Sequence, residues 1–386
     1  MKKNIFYFCL LLSFGCKSFD DYRNQKVVLE TNKSQKIEFK NGVYYLNLKI
    51  NGVSGNFLFD TGAMASVIND DNYLNQFHLT QKNYYTSFKL KGPDGDQIES
   101  NKFVSDSIKS DIINGSKNIF NHITNVKLTN DCLKDNEPPV GIIGFDIFKR
   151  ASQPISLDIS NNQISVLESK YNVNGYQKLE TNISSVFGSE IIIPIKINNK
   201  VIKFTLDTGF NGGVLISSKE DVLNKSNLYC AFEMGFTSVK KLIASKVFIF
   251  SNIIVPDNYL FTEPAIISTF SNIDKNLLGI NFIKQFNWIF DFNSGDVFVK
   301  RISNSNSETL KALGKLQISS LSFNGELLIV FKKIDTYPNF HLLDKIISVN
   351  GKPVTPENIC DMQDLLNKTQ DWNTLKLEVI PIKNKK

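Results

Sequence analysis

Arginine is almost absent from this 386-residue chain, and its formal net charge of +6 comes from lysines scattered without a dense basic run. Without the planar fork that reads phosphate bidentately, nucleic acid is not an expected partner. The three histidines, His78, His122 and His341, stand in unrelated contexts and read as surface or packing residues. Cysteine is sparse as well. Beyond the first sixteen residues only Cys132, Cys230 and Cys360 occur, each in a different part of the chain, with no metal-ligand spacing and no evident disulfide framework. No later segment is apolar for long enough to cross a bilayer. Long helical patterns of Ala, Leu, Glu and Lys are scarce too, which leaves little room for a helical protein.

Phe, Ile, Val, Asn and Ser are abundant instead, the composition of strands and turns. The chain is too long for one ordinary domain, and at 42% hydrophobic it can fill two or three cores. A mostly β fold is expected. The N-terminus, "MKKNIFYFCLLLSFGC", has two lysines, an apolar stretch from Ile5 to Leu12 and Gly15 before Cys16. It reads as an export signal over residues 1–15. It resembles a bacterial lipoprotein signal, in which Cys16 would become the lipidated first residue and anchor the protein to a membrane, facing out of the cytoplasm. Ser13 stands where such signals usually carry Leu, so an ordinary secretory signal or an uncleaved anchor is the alternative. Residues 16–37 are polar and read as a tether.

The main signal is a repeat. "FLFDTGAMASVI" (57–68) runs apolar up to Asp60 and turns at once through Thr61 and Gly62; "FTLDTGFNGGVLI" (204–216) does the same around Asp207, Thr208 and Gly209. Nine residues before each acid stands an asparagine, Asn51 or Asn198, closing a shared "KIN". Asn-Gly and Asn-Asn accept the positive φ that two-residue hairpin turns need, so each half should open with a β-hairpin whose second strand delivers the acid. Further on, "VGIIGFDIF" (140–148) and "NLLGINFI" (276–283) each place two aliphatics before a glycine. Then "PISLDISNNQISV" and "NWIFDFNSGDVFV" both read as strand, Asp, turn, strand, with Asp158 and Asp291 as turn formers. The copies fall at 38–168 and 188–302, with a polar connector at 169–187.

The doubled Asp-Thr-Gly loops and their doubled aliphatic-aliphatic-Gly companions resemble the aspartic proteases, and among them the retropepsin-like group. The resemblance spans about residues 38–301. It implies two β-barrel lobes in one chain, each donating one carboxylate, with Asp60 and Asp207 as a catalytic dyad that hydrolyses polypeptide without metal or cofactor. It also implies that Thr61 and Thr208 bond across between the loops, and that Gly62 and Gly209 let them approach. Two carboxylates a few ångström apart cannot both ionise cheaply, so they share a proton. At the next position pepsin-like enzymes usually carry Ser or Thr, whereas this chain has Ala63, which matches the retroviral pattern, and Phe210, which departs from it; the hydroxyl missing beside Asp207 moves the expected working range toward less acidic pH. Residues 86–104 form two strand-like arms around Gly92, Pro93, Asp94 and Gly95, where a flap would fall; the alternative is another surface hairpin. The second lobe has only a vaguer counterpart near "AFEMGFTSVKKLIASKVFI".

After residue 302 the texture changes. "LLDKIISVNGKPVTPENICDMQDLLNKT" (342–369) and "TLKLEVI" resemble a PDZ domain of the bacterial protease-associated kind, over about residues 312–386. That implies possible capture of a peptide or protein ligand by strand addition; the alternative is a small α+β domain that only packs on the lobes. Two further functions are weighed against a secreted or envelope-anchored aspartic endopeptidase. One is a catalytically silent protein of the same fold acting through its PDZ-like part. The other is a carbohydrate-binding or adhesive surface lipoprotein, which leaves the paired acids unexplained.

Overall fold

A computed structural model describes residues 25–81, 88–91, 97–123, 131–132, 139–183, 190–237, 242–255, 258–261, 263–302 and 316–381. The chain is mostly β. Each half opens with a hairpin, Val43–Ile50 with Val53–Asp60 in the first and Ile191–Ile197 with Lys200–Asp207 in the second. Asn51 and Gly52 turn the first at φ of 48° and 85°, and Asn198 and Asn199 turn the second at 47° and 65°. Both central residues are left-handed, the geometry that matches the strand twist. Alternation along these strands buries Leu46, Leu48, Phe57 and Phe59 in one half and Ile193, Ile195, Phe204 and Leu206 in the other.

A short strand then threads between two others in each half. Gly141–Gly144 runs parallel to Val53–Asp60, with Gly144 opposite Asp60, and antiparallel to Val67–Asn69. Leu277–Gly279 repeats this beside Lys200–Asp207 and Val214–Leu215, with Gly279 opposite Asp207. The two glycines have a steric reason. A Cβ at Gly144 would stand 2.6 Å from the Ala63 carbonyl oxygen, and one at Gly279 would stand 2.5 Å from that of Gly212. Only glycine lets these strands lie against the acid-bearing loops.

The halves share a six-stranded sheet. Ile155–Asp158 pairs antiparallel with Phe286–Asp291, so the two strand-Asp-turn-strand blocks meet edge to edge. Asp158 accepts from the Asn161 amide at 3.2 Å and Asp291 from the Asn293 amide at 2.9 Å, both closing turns. Phe145 of the first half meets Phe290 of the second at 5.1 Å, within one continuous core.

Four features differ from the sequence reading. Residues 26–37 are not a free tether: Lys26–Leu29 pairs with Ile113–Ser116, and Ser34–Lys36 with Gln163–Ser165, burying Leu29 and Ile37. The connector contributes strands too, Gln177–Leu179 at one edge of the shared sheet and Asn182–Ile183 beside Ile191–Ile197. The second half has a long antiparallel strand pair, Leu228–Thr237 with Leu242–Ile253, in the same sheet position as Phe88–Lys91 with Gln97–Ser105 in the first. Finally, Cys132 and Cys360 form a disulfide, their Cα atoms 5.1 Å apart.

Among the described residues the C-terminal unit has five strands, Ile318–Phe323, Glu326–Lys333, Lys345–Val349, Lys352–Pro353 and Leu377–Ile380, and a helix, Ile359–Lys368. Its own core holds Leu327, Ile329, Ile346, Leu366 and Trp372. It extends the sheet of the second half: Glu326–Lys333 pairs with Leu228–Thr237, and Phe232 lies 4.8 Å from Phe331. No described helix is long and apolar enough to cross a membrane.

Replacing Gly279 by Ala should cost about 1–3 kcal/mol, because a Cβ would meet the Gly212 and Phe210 carbonyl oxygens, which cannot rotate away, as well as the Phe210 ring. Urea unfolding of Gly279→Ala checks it; an unchanged midpoint would contradict the steric account.

Candidate active site

Asp60 and Asp207 come together at the meeting of the two halves. Each caps the buried strand that carries it, and each loop presses its glycine on the opposite acid. A Cβ on Gly62 would lie 2.6 Å from Cγ of Asp207, and one on Gly209 would lie 2.5 Å from Oδ2 of Asp60. Side chains at 62 and 209 would therefore drive the carboxyls apart. As placed, the two carboxyls hydrogen-bond to one another.

The threonines hold this approach. Thr61 Oγ1 donates to the Leu206 carbonyl at 2.8 Å and accepts from the Thr208 amide at 3.1 Å. Thr208 Oγ1 donates to the Phe59 carbonyl at 2.7 Å and accepts from the Thr61 amide at 3.0 Å. Both side chains are fully buried, so the four bonds form without competition from water. Backbone amides complete the cradle. The Gly62 amide donates to Asp60 Oδ1 at 2.8 Å, and those of Gly209 and Phe210 donate to Asp207 Oδ1 at 2.9 and 3.0 Å.

Both carboxyls are displaced upward from the ordinary aspartate range. For Asp207 burial is the main cause, followed by the charge of Asp60 and the hydrogen bond between them, and the result is well above the usual value. Asp60 is raised by burial but held back by the Gly62 amide and by the bond from Asp207. Two carboxyls raised together in this way share a proton as a pair. Lys275 attracts both carboxylates through space, its Nζ 3.3 Å from Glu190 Oε1. Sequence reasoning missed Lys275, since nothing local in "NIDKNLLG" marks a lysine that acts across the fold.

Phe210 turns its ring into an apolar cluster, 6.4 Å from Phe270 in an edge-on arrangement, while its amide serves Asp207. A second missed group lies behind the first loop. Ser66 Oγ donates to Asp146 Oδ1 at 2.8 Å and accepts from the Gly144 amide at 3.2 Å, tying the threaded strand to the loop. Gly213 holds the matching position in the second half, where its carbonyl accepts from Gly279 at 2.8 Å. The pairing of Ser66 with Gly213 was present in the aligned repeats as a difference between copies.

Gly92, Pro93, Asp94 and Gly95 lie outside the described residues, although the arms leading to them, Phe88–Lys91 and Gln97–Ser105, are paired. Cys16 lies outside them as well. No family model matches the chain, and no curated protein matches it.

Thr61→Val or Thr208→Val removes one donor and one acceptor from a buried site. Each orphaned partner costs about 1–3 kcal/mol, and the double variant should lose less than the sum because the two side chains share one network. Chemical denaturation measures both; strict additivity would contradict a single cross-loop unit.

Proposed function

We propose that the chain is an aspartic endopeptidase that hydrolyses peptide bonds with water activated between Asp60 and Asp207. The observation that carries this reading is the pair of buried carboxyls, hydrogen-bonded to each other and displaced upward to different extents. Two titratable groups held apart in this way divide the roles of base and acid.

In the proposed cycle, Asp60 takes a proton from a water lying between the carboxyls, and the water oxygen bonds to the scissile carbonyl carbon. Asp207 gives its proton to the carbonyl oxygen, so the tetrahedral diol forms without a buried oxyanion. Collapse reverses the roles. A proton moves to the departing amine, the C–N bond breaks, and the shared proton is restored. The amides of Gly62, Gly209 and Phe210 hold one oxygen of each carboxyl, Asp60 Oδ1 and Asp207 Oδ1, and so fix both groups in place for the reaction. The substrate is an extended polypeptide in the cleft between the halves, pairing as an added strand with the flap of the first half, whose described arms are Phe88–Lys91 and Gln97–Ser105. The leader argues for action at the cell envelope, with Cys16 as the lipid-bearing residue, and a disulfide suits that compartment.

Purified protein incubated with a denatured protein substrate from acid to neutral pH should release peptides, with a bell-shaped rate profile. Asp60→Asn and Asp207→Asn should each lower kcat at least a thousandfold. Full activity in either variant, or none in the wild type, would overturn the assignment.

The displaced carboxyls also link pH to stability. Because the folded-state pKa of Asp207 exceeds its unfolded value, its favourable contribution is complete below about pH 4 and is lost as pH rises through the folded value. Asn cannot ionise. Asp207→Asn should therefore unfold at higher denaturant than the wild type at pH 8, with the gap closing toward pH 4; a gap independent of pH would contradict the shared proton.

A further inference from the structure

In the C-terminal unit, the strand Ile318–Phe323 pairs on one side with Glu326–Lys333, so its other edge points its backbone groups toward the helix Ile359–Lys368. In a strand-capturing domain this edge between strand and helix is where an added peptide would bond. Here it is filled from within. The Ser320 amide donates to Asn367 Oδ1 at 2.9 Å, and the Ser320 carbonyl accepts from Asn367 Nδ2 at 3.1 Å, so one side-chain amide imitates a neighbouring strand. The Ser322 amide donates to Gln363 Oε1. The Ser322 carbonyl accepts from the backbone amide of Asp131 at 3.1 Å.

Asp131 belongs to the first half of the chain, 191 residues before Ser322. Its carboxylate is seated as well. Oδ2 accepts from Ser322 Oγ at 2.9 Å and from the Gly325 amide at 2.8 Å, at the Asn324–Gly325 turn where both residues have positive φ. The next residue, Cys132, packs against the unit's core and is bonded to Cys360 in the first turn of the same helix. Backbone, carboxylate and covalent bond thus fix one short segment to one edge.

We propose that this groove is an internal docking site whose ligand is the chain's own Asp131–Cys132 segment, locked by the Cys132–Cys360 disulfide and thereby closed to exogenous peptide. The unit is bonded to the second half through Glu326–Lys333, so seating the segment makes it a strap between the two halves. A dithiol opens the lock. Its thiolate attacks one sulfur, the bond between Cys132 and Cys360 breaks, and the dithiol leaves as its cyclic disulfide, so two protein thiols form. The specificity lies in an aspartate carboxylate on the Gly325 amide and the Ser322 hydroxyl. This inference rests on the C-terminal contacts and does not depend on the cleavage chemistry.

The test uses the full-length chain and a fluorescent twelve-residue peptide copying residues 126–137 with serine in place of Cys132. Peptide mapping without reductant should link Cys132 to Cys360. The labelled peptide should bind D131A/C132S at least tenfold more tightly than the oxidised wild type, and its Asp-to-Ala version should lose that binding. Amide exchange at Gly325 should speed up when the wild type is treated with dithiothreitol, a readout that needs no variant. The proposal is overturned by free thiols at both cysteines, by equal binding to the oxidised wild type and a folded D131A/C132S, by binding to neither, or by unchanged exchange at Gly325.

Discussion

Two buried carboxyls within hydrogen-bonding distance are an unfavourable arrangement, and much of this fold consists of what keeps them there. Burial alone would neutralise both, and their mutual repulsion would separate them if either loop could move. Four cross-loop bonds through Thr61 and Thr208 prevent the movement, and Gly62 and Gly209 remove the atoms that would fill the gap. The loops rest on threaded strands that only glycine at 144 and 279 permits. The shared six-stranded sheet then fixes the two halves as one core. Each layer constrains the next one inward.

The halves are alike in these layers and unlike at their outer edges. Both hairpins occupy the same place in their sheets, yet that of the second half is continued by Glu326–Lys333 of the C-terminal unit. The same unit reaches the first half through Asp131 and the Cys132–Cys360 bond. One hairpin is therefore built into a larger sheet, while Phe88–Lys91 pairs only with its partner strand among the described residues. In the proposed reading, this asymmetry leaves substrate covering to the first half and gives the second a structural duty.

The duplicated core was legible because its chemistry is local. An apolar run ending in Asp-Thr-Gly, an asparagine pair at a hairpin turn and two aliphatics before a glycine each report a backbone constraint within a few residues. What escaped acts across space. Cys132 and Cys360 lie 228 residues apart, and no spacing rule pairs such cysteines. The strand Lys26–Leu29 has four residues, too few for alternation to stand out from a polar leader. Leu228–Thr237 carries Gly235, which blurs its period in sequence although Gly235 sits opposite Ala244 in a ladder that is regular from Cys230 to Thr237. Lys275 influences both acids from a stretch with no distinguishing pattern. The edge-filling amides of Asn367 and Gln363 read in sequence as ordinary polar helix positions.

The account turns on one proton held between Asp60 and Asp207 when solvent-exposed aspartates are charged. Carbon-13 NMR of the protein labelled at the aspartate carboxyl carbons reads this directly. One carboxyl resonance should remain at its protonated shift well above the ordinary aspartate range, and it should disappear in Asp207→Asn. If every aspartate ionises in the ordinary range, or if the high-titrating resonance survives that substitution, the carboxyls do not act as a pair and the site is not a dyad.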